Sequence, residues 1–572
     1  MATINETADA LATSSTIYSM DAGDTFYGGL GSAGDKDWVA ITIEAGETIN
    51  VLMTGLTGNL TSNSNCQVGL YNSSGALVKG EDVFTSNTSS LTYTNTTGVA
   101  QTLYVQAADF GNNDTGTYSV AVTNPAPPSP LDALDWGGSK LASPNVTVYF
   151  ANAGEVFDGV TSLGWTQTQK DNVMAALQDM SKGTNLTFTI TTNPADATFK
   201  MVTENNTGVS YSAYMNPPSV ANPGVGVFNT ANMDLNNLIQ GSLDYFIIQH
   251  ESGHALGLSH PHDTGGGSVV MQGVSNSGDM GDYNLNQGIN TIMSYNPGYY
   301  EIYGYPAGTY GVTVGPMALD LALLQQKYGA KAENTGNTVY MLPGTNATGT
   351  FFQTIWDTGG IDEIRYDGAL SVIISLVAAT LDYSDTGGGG VSFANGIKGG
   401  FTIANGVVIE NAMGGSGNDM ITGNSANNIL QGNGGNDQLF GQDGFDTLIG
   451  GAGADVLNGG TGFDTVDYSA SSTAVNVNLI SGSGAGGDAQ GDTLTGIERI
   501  YGSNFDDVFT GSGYFYGNGG FDTFIGSTGA SVFVGGAGFD TVDYSASAQA
   551  VNVNLVTGLG SGGDAAGDRY YQ

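Results

Sequence analysis

A nine-residue repeat over residues 414–467 constrains the fold of this chain more than any other feature. Six consecutive units begin with glycine, and each places a glycine-rich turn before an acidic or amide residue and a short strand-forming run. The sixth position of the units reads Asp419, Asn428, Asp437, Asp446, Asp455 and Asp464. The eighth position reads Ile421, Leu430, Leu439, Leu448, Leu457 and Val466. One apolar residue in nine cannot form a core within one unit. The units must therefore stack as a parallel β-roll, with the aliphatic side chains inside and the carboxylates in rows at the turns.

Rows of carboxylates need cations between them. Aspartate oxygens and turn carbonyls are the hard ligands that suit Ca²⁺, and glycine adopts the left-handed backbone that such turns require. A glycine-rich disordered linker is the alternative interpretation, but it does not explain the phased aspartate and aliphatic positions. Asn428 interrupts one row and is expected to weaken its site. The predicted structural calcium ligands in this stretch are Gly415, Gly417, Asp419, Gly432, Gly435, Asp437, Gly444, Asp446, Gly453, Asp455, Gly462 and Asp464.

The overall charge agrees with a cation-binding protein. The chain has 12 Lys plus Arg against 53 Asp plus Glu, a formal net charge of −41. Such a charge repels nucleic acid and anionic lipid and attracts divalent cations. We therefore expect no nucleic-acid partner.

A longer duplication follows the six units. The text FDTVDYSAS, which begins at Phe463, recurs at Phe539, and nonapeptide units lie between the two copies. We predict a second calcium-binding roll block over residues 471–572, and we add Asp522 and Asp540 to the predicted calcium ligands.

All four histidines of the chain lie within thirteen residues, HESGHALGLSHPH. His250 and His254 are four residues apart and share one face of a helix, and Gly257 permits a turn that brings His260 back towards them. Three imidazoles on a zinc ion leave a position open for water, which Glu251 can reach as a general base. A lone HExxH is as often a salt-bridged helix, but the third histidine favours catalytic zinc.

The sequence gives weaker evidence about the roles of His262 and Asp263, which follow the predicted zinc ligands. His262 lies two positions beyond a predicted ligand and is interpreted as a loop or rim residue, with an extra metal contact or a pH sensor as the alternative. Asp263 is interpreted as a turn residue.

The pattern HExxHxxGxxH is the metzincin signature, whose companion is a methionine turn downstream. The segment TIMSYNP supplies that turn. With GHALGLSHP and IMSY, the chain resembles the serralysins, secreted bacterial metalloproteases of peptidase family M10, over residues 131–470. The resemblance implies that Met293 forms the floor under the zinc. It also implies that Tyr295 is a further zinc ligand, which moves off to stabilise the oxyanion during turnover.

The resemblance has further implications outside the zinc motif. The nonapeptides match RTX repeats, and the segments GPMALDLALLQQKYGA and IWDTGGIDEIRYDG resemble the start of the serralysin carboxyl-terminal domain. Asp357 and Asp362 are then implied as calcium ligands. The family also implies a type I exporter as a partner, an extracellular location that could include the cell surface, and an edge strand over residues 224–229 for an extended substrate.

The rest of the chain indicates a multidomain protein: an amino-terminal β-sandwich, an α+β metzincin zinc-protease domain and a carboxyl-terminal parallel β-roll that binds calcium. Short alternating β-like runs before residue 124 predict the sandwich, and the segment GSAGDKDWVAITIEAGETINVLMTG resembles the prepeptidase carboxyl-terminal (PPC) type. A generic adhesive sandwich is the alternative. The segment TQTQKDNVMAALQDMSKG predicts a helix that begins with a capping box of Thr166 and Gln169. The segments DYFIIQHESGHALGL and GPMALDLALLQQKYG predict two further helices. The predicted regions are the sandwich over 1–125, a Pro-rich linker over 126–130, the catalytic domain over 131–328 and the two roll blocks over 329–470 and 471–572.

The sequence thus predicts a secreted zinc endopeptidase that acts on protein substrates and is stabilised by calcium. A calcium-dependent surface or adhesion protein with a vestigial protease domain is the alternative. The chain shows no apolar run long enough to span a membrane and has a single cysteine, Cys66, so no internal disulfide can form. We expect a monomer. The final residues, RYYQ, do not resemble the uncleaved export signal of serralysins, so we expect the encoded protein to extend past Gln572, with a divergent native end as the alternative.

Overall fold

The computed structural model describes residues 3–6, 16–20, 24–32, 35–44, 47–57, 60, 66–82, 88–97, 99–109, 115–123, 129–306 and 309–572. The chain forms two compact units, Met1–Pro128 and Ser129–Gln572. Residues 126–128 of the predicted linker lie outside the described residues. The two linker residues that follow belong to a helix instead, because Ser129 caps its amino terminus and Pro130 is its first residue, where proline needs no hydrogen-bonded N–H.

The first unit is a β-sandwich, as predicted. Its buried apolar residues come from both sheets, for example Val51 and Val120 from one and Ile41 and Val105 from the other. One sheet has the strand order Thr3–Asn5, Thr25–Leu30, Gly116–Thr123, Thr48–Gly55 and Thr88–Thr94. The other has the order Ser19–Met20, Lys36–Ile43, Gln101–Asp109, Cys66–Tyr71 and Leu77–Asp82.

The described α-helices lie in the second unit. They are α1 (Pro130–Leu134), α2 (Gln167–Met180), α3 (Leu243–Ala255), α4 (Tyr300–Tyr303) and α5 (Ala318–Tyr328). The sequence predicted α2, α3 and α5 but missed α1 and α4, which are too short to show a helical period. Short 3₁₀ turns span Pro194–Asp196, Gly265–Gly267, Asp282–Asn284, Gly487–Ala489 and Gly563–Ala565. No described helix is both long and apolar enough to cross a membrane.

Helix α2 begins with the predicted capping box. The Gln169 N–H donates to the Thr166 hydroxyl at 3.3 Å, and the Gln169 side chain accepts from the Thr166 N–H at 3.0 Å. Its apolar face is fully buried in a core of the second unit, where Gln249 of α3 donates to the Ala176 carbonyl at 3.2 Å. Helix α2 therefore supports the helix that carries the first two histidines.

A five-stranded sheet lies beside these helices. Its order is Thr187–Ile190, Asn145–Phe150, Phe199–Glu204, Val225–Asn229 and Ala213–Met215, and a separate hairpin joins Val156–Phe157 to Val160–Thr161. The prediction that residues 224–229 form an edge was wrong. Val225–Asn229 pairs on both sides and is buried throughout, and the edge is Ala213–Met215, which runs antiparallel to it.

The rest of the second unit is a parallel β-roll of two long sheets. One follows the order Val339–Met341, Glu363–Arg365, Asn411–Met413, Ile429–Gly434, Thr447–Ala452, Thr465–Asp467, Arg499–Tyr501, Tyr514–Tyr516, Val532–Val534, Arg569–Tyr571, Leu559–Ser561 and Asn552–Asn554. The other follows Phe352–Ile355, Gly400–Ile403, Ser392–Ala394, Val372–Ser375, Met420–Thr422, Gln438–Phe440, Val456–Asn458, Thr493–Thr495, Ser483–Ala485, Asn476–Asn478, Val508–Thr510, Thr523–Ile525 and Thr541–Asp543. A small ladder joins Asp443–Gly444 to Thr461–Gly462.

Each coil of the roll uses two nonapeptides, one for each sheet. Leu430 pairs with Leu448 in one sheet and Leu439 pairs with Leu457 in the other, so a register step is 18 residues. All six aliphatic residues at the eighth position are fully buried, as the repeat predicted.

The two predicted roll blocks form one continuous roll, so the boundary that we placed at residue 470 does not interrupt the sheets. Val466 pairs with Ile500, which in turn pairs with Phe515. Between residues 467 and 499 the chain leaves this sheet and forms an antiparallel pair in the other long sheet, Asn476–Asn478 with Ser483–Ala485. It then returns to the first sheet. The nonapeptide period stops over this stretch, and the sequence suggested two blocks because the text that begins at Phe463 recurs at Phe539.

Candidate active site and metal centres

Three histidine nitrogens converge at the carboxyl-terminal end of α3. The Nε2 atom of His260 lies 3.1 Å from Nε2 of His250 and 2.9 Å from Nε2 of His254. Nitrogens bound to one tetrahedral zinc at its usual bond length are about 3.4 Å apart. The structure thus brings the three predicted side chains together, and they could hold a zinc ion with little adjustment.

Gly257 makes this convergence possible. Its φ is +90°, and a Cβ at this position would lie 2.2 Å from the Ser139 carbonyl oxygen, so any other residue would be strained and would also clash. The Leu258 N–H donates back to the Gly253 carbonyl at 2.9 Å, which ends the helix and turns the chain towards His260.

The other ring nitrogens are also bound, and this orients each imidazole. Nδ1 of His250 lies 2.7 Å from the Ile292 carbonyl oxygen, and Nδ1 of His254 lies 3.0 Å from that of Leu258. A proton donated from Nδ1 to a carbonyl leaves the Nε2 lone pair free for a metal. Burial, reinforced by the neighbouring His260, lowers the pKa of His254 to about 3, so this ring is neutral at physiological pH.

Asp263 orients the third ligand. Its Oδ2 atom lies 2.8 Å from Nδ1 of His260, and its Oδ1 atom accepts the Gly265 N–H at 2.9 Å. The interpretation of Asp263 as only a turn residue was incomplete, because it also holds the His260 ring. The spacing of three residues from a predicted ligand was the signal that could have found it.

Replacing Asp263 with alanine is expected to weaken zinc binding by about 10- to 100-fold, because the carboxylate that orients His260 is lost. Asp263→Asn should have a smaller effect, since an amide oxygen can still accept from Nδ1. Competition with a chelator of known affinity measures both, with Asp171→Asn on the exposed surface of α2 as the control. Equal zinc affinity in Asp263→Ala and the unaltered chain would refute this role.

Met293 packs against α3, the helix that carries His250 and His254. The side chain is fully buried, and a Cβ placed on Gly253 of α3 would lie only 2.6 Å from the Met293 sulfur. The glycine of HESGH therefore lets the methionine turn pack directly against the helix.

A buried carboxylate that the sequence analysis did not single out holds this turn. Asp320 of α5 accepts the Thr291 hydroxyl at 2.6 Å, the Ile292 N–H at 2.7 Å and the Met317 N–H at 3.0 Å. Burial raises the pKa of Asp320 to about 7. The Ile292 carbonyl oxygen also lies 2.7 Å from Nδ1 of His250. Asp320 therefore connects α5 to the candidate zinc site through the turn.

Glu251 and Tyr295 face a cleft of about 370 Å³ beside His250. Burial raises the pKa of Glu251 to about 8, against a hydrogen bond from the Met215 backbone that lowers it. The positive charge of bound Zn²⁺ would also lower it. The remaining lining is mostly apolar or aromatic: Tyr211, Ser212, Ala213, Leu243, Phe246, Ile247, Ser294, Pro297 and Tyr305.

Tyr295 lies against the histidines and is 51% exposed. Its ring centroid lies 4.8 Å from that of His260 and 5.6 Å from that of His250. Burial, followed by the charges of Glu251 and Asp263, raises the pKa of its hydroxyl, which is therefore protonated at physiological pH. His262 lies in a turn and is partly buried, and its ring contacts both His260 and Tyr295.

The aspartates of the roll form two rows linked by backbone hydrogen bonds. In one row the Asp419 N–H donates to Oδ1 of Asp437 at 2.8 Å, and the Asp437 N–H donates to Oδ1 of Asp455 at 2.8 Å. In the other row the Asp446 N–H donates to Oδ1 of Asp464 at 2.9 Å. Further members lie outside the six repeats and were not predicted: Asp492, Glu498 and Asp507.

In both rows, aspartates keep a second carboxylate oxygen that has no hydrogen-bond partner. Within the described structure, five buried Oδ2 atoms have no hydrogen bond: those of Asp437, Asp446, Asp455, Asp464 and Asp522. Burial raises the pKa of Asp437 and of Asp455 to about 7. Buried carboxylate oxygens of this kind are stabilised by a cation, and oxygen ligands in this number suit Ca²⁺.

At two glycines of the turns, the neighbouring coil leaves no room for a side chain. A Cβ on Gly453 or on Gly462 would lie 1.7 Å from the carbonyl oxygen of the glycine one coil earlier, Gly435 or Gly444. The carbonyl oxygens of successive turns therefore stack close to the carboxylate rows. Asp540 continues this arrangement, because its Oδ1 accepts the Asp522 N–H at 3.1 Å.

Asn428 continues its row through the backbone, because its N–H donates to Oδ1 of Asp446 at 2.7 Å, but its side chain differs from those of the aspartates. Its Oδ1 accepts the Asn424 N–H at 2.8 Å and its Nδ2 donates to the Glu410 carbonyl at 2.9 Å, so its side chain is satisfied without a cation.

Asp357 and Asp362, at the start of the roll, are both buried. Asp357 accepts the Tyr340 hydroxyl at 2.6 Å, and Asp362 accepts the Thr338 N–H at 2.7 Å. Burial raises the pKa of Asp362, and the nearby charge of Asp357 adds to the shift.

Comparison with family models agrees with this division of the second unit. Residues 142–301 match the model of metallo-peptidase family M12. Residues 413–448, 432–466 and 516–546 match that of the RTX calcium-binding nonapeptide repeat. The chain therefore carries a metallopeptidase domain, which implies a catalytic zinc, and RTX repeats, which imply structural calcium. The matching peptidase model is that of family M12, whereas the serralysin resemblance had implied family M10.

Curated proteins with similar sequences include serralysins. Serralysin B of Dickeya chrysanthemi is 32% identical over 50% of this chain and 60% of its own length. Metallopeptidase AprA of Pseudomonas marginalis is 31% identical over 45% of this chain and 54% of its own length. Serralysin of Photorhabdus laumondii is 30% identical, again over 45% of this chain and 54% of its own length. The chain thus spans less than two thirds of the length of these relatives.

One solved structure resembles a smaller part of the chain. The pre-peptidase C-terminal domain of a collagenase from Bacillus anthracis covers 18% of this chain and 93% of that domain, at 16% identity and a TM-score of 0.15. A likeness at this TM-score carries no argument about the PPC assignment, which stays a prediction.

Proposed function

We propose that this chain is a serralysin-like, zinc-dependent endopeptidase whose roll is stabilised by calcium. One observation carries the proposal: the Nε2 atoms of three histidines meet within 3.1 Å of His260, next to a cleft that also holds the carboxylate of Glu251. A catalytic zinc site needs such a set of neutral ligands, an open position and a nearby base.

Zinc held by His250, His254 and His260 would supply Lewis acidity, lowering the pKa of a water molecule and polarising the peptide carbonyl. The protein side chains transfer the protons and donate hydrogen bonds. The Glu251 carboxylate accepts a proton from the attacking water and later donates it to the amine nitrogen of the leaving product. The Tyr295 hydroxyl donates a hydrogen bond to the oxyanion that develops on the carbonyl oxygen.

The strand Ala213–Met215 provides a surface for the substrate. It is the last strand of its sheet among the described residues, and Ala213 lines the same cleft as Glu251. An extended peptide can pair with the backbone of an exposed edge strand, and backbone pairing makes side-chain selectivity modest.

The calcium assignment supports action outside the cell. A chain with a net charge of −41 and buried, unpaired carboxylate oxygens repels itself until cations bind. Low calcium inside a cell would keep the roll unfolded during export by a type I exporter, and calcium outside would fold it.

Hydrolysis of denatured casein tests the proposal directly. The full chain with calcium and zinc should cleave casein at internal bonds, and a zinc-selective chelator should abolish cleavage until zinc is restored. A chain that binds zinc and calcium but cleaves nothing would instead be a surface protein with a vestigial protease domain. Cleavage that persists after zinc removal would also contradict the proposal.

Replacing Tyr295 with phenylalanine should lower kcat by about 10²- to 10³-fold, the usual cost of losing one hydrogen-bond donor to an oxyanion. The phenyl ring preserves the contacts with the histidines, so folding should be unaffected. Steady-state kinetics on a peptide substrate measure the effect, with Tyr27→Phe in the sandwich as the matched control. An unchanged kcat would remove Tyr295 from the mechanism.

A further inference from the structure

His262 packs against the side of the candidate zinc site that Tyr295 occupies. Its ring stacks on that of His260 with a centroid distance of 4.8 Å and an interplanar angle of 18°. Its centroid lies 4.5 Å from that of Tyr295, closer than the other two imidazoles that this tyrosine contacts. The rings of His260, His262 and Tyr295 thus form a compact triangle.

Ring packing is what fixes the Tyr295 side chain. Among the described residues, none forms a hydrogen bond with its hydroxyl, and the side chain is 51% exposed. A half-exposed tyrosine without such a bond can populate other rotamers. The contact with His262, at a centroid distance of 4.5 Å, restricts this motion.

The backbone on either side of His262 is anchored, so its ring has a defined place. The Pro261 carbonyl accepts the Met271 N–H at 2.8 Å. On the other side, Asp263 binds both Nδ1 of His260 at 2.8 Å and the Gly265 N–H at 2.9 Å. Within the described structure the buried Nδ1 of His262 has no hydrogen-bond partner, so the ring is placed by this anchored backbone and by its ring contacts.

A second metal site at His262 is a weaker explanation of the same residues. Ligand atoms of His260, His262 and Asp263 do lie within 4.8 Å of one another. However, Nδ1 of His260 and Oδ2 of Asp263 already bind each other at 2.8 Å, and Nε2 of His260 faces the other two zinc ligands. Of these three residues, His262 keeps a buried Nδ1 without a partner, and one nitrogen alone is not a set of ligands for another ion.

We propose that His262 is a positioning residue that holds the Tyr295 ring in place beside the zinc site. The inference rests on the function proposed above for Tyr295. His262 would act through the tyrosine, by shape and ring contact, and would touch neither zinc nor substrate. A flat ring at position 262 is therefore required, whereas its nitrogen atoms are not.

Two variants of the zinc-loaded full chain test whether the flat ring of His262 is required and whether its nitrogen atoms are. His262→Gly should lower kcat by about 3- to 10-fold, the size expected for losing one aromatic contact, and leave KM within about twofold. His262→Phe should restore kcat to within about twofold of the unaltered chain. In a Tyr295→Phe background, His262→Gly should cause no further loss, because the residue through which it acts is already disabled.

Zinc affinity and fluorine NMR give readouts that do not depend on activity. Competition with a chelator should show the same zinc affinity in both His262 variants, which also shows that they fold. With fluorotyrosine incorporated, the Tyr295 signal, assigned as the one missing in Tyr295→Phe, should move towards the position of exposed tyrosines in His262→Gly. It should stay in place in His262→Phe.

Three results would overturn the inference. They are a loss in His262→Phe as large as in His262→Gly, a fall in zinc affinity in either variant, and an undiminished effect of His262→Gly in the Tyr295→Phe background. An unaltered chain that binds zinc but hydrolyses nothing would defeat the proposed function alone. The Tyr295 fluorine signal would then decide the position of His262 by itself.

Discussion

Replacing Glu251 with glutamine is expected to lower kcat by about 10²- to 10⁴-fold while zinc stays bound, because the ligands remain and the base is lost. The amide occupies the same volume as the carboxylate beside His250 but cannot accept the proton of the attacking water. Kinetics on a peptide substrate, together with the zinc content of the purified protein, measure the two effects separately.

The exposed Glu44→Gln in the sandwich is the matched control, since it removes a carboxylate of the same type far along the chain from the site. A Glu251→Gln chain that keeps more than a few per cent of the rate would show that Glu251 is not the base. One that loses zinc would leave the role of Glu251 in proton transfer unsupported.

Removing calcium is expected to unfold the roll. Five buried carboxylate oxygens in its rows have no partner, and the chain carries a net charge of −41, so the folded roll is unfavourable without cations. Circular dichroism of the full chain in EGTA should show a lost β signal that millimolar Ca²⁺ restores. A roll that keeps its full β signal in EGTA would contradict the calcium assignment.

A pair of variants tests whether this calcium-dependent folding depends on the aspartate rows. Asp437→Asn should raise the calcium concentration at the folding midpoint by roughly tenfold, because a charged ligand between two neighbours in the row is lost. Asp443→Asn is the control, since Asp443 is exposed and binds the Thr461 hydroxyl at 2.6 Å outside the rows. Equal midpoints in the two variants would show that the rows do not bind the ions.

Features encoded by local spacing were predictable from the sequence. The separation of four residues between His250 and His254 fixes their common helix face, and a glycine at position 257 permits the turn to His260. In the roll, the nine-residue period fixes which residues point inward, and all six aliphatic positions are buried. These features depend on residues close together in the chain.

Features that depend on distant pairing were not predictable. The edge of the catalytic sheet is Ala213–Met215 because this strand folds back on Val225–Asn229, and sequence pattern does not reveal which strand lies outermost. Asp320 holds the methionine turn from a helix that begins 25 residues after Met293 in the chain. The two roll blocks join because Val466 pairs with Ile500, across a stretch that has no period.

Titration of the zinc-depleted full chain with zinc, at fixed calcium, tests the central claim most directly when metal binding and peptide hydrolysis are followed together. The structure predicts that activity rises in proportion to bound zinc and stops rising at one ion per chain, and that His254→Ala stays inactive at the same zinc concentrations. Full hydrolysis in the zinc-depleted chain, or no hydrolysis when one zinc ion is bound, would contradict the account.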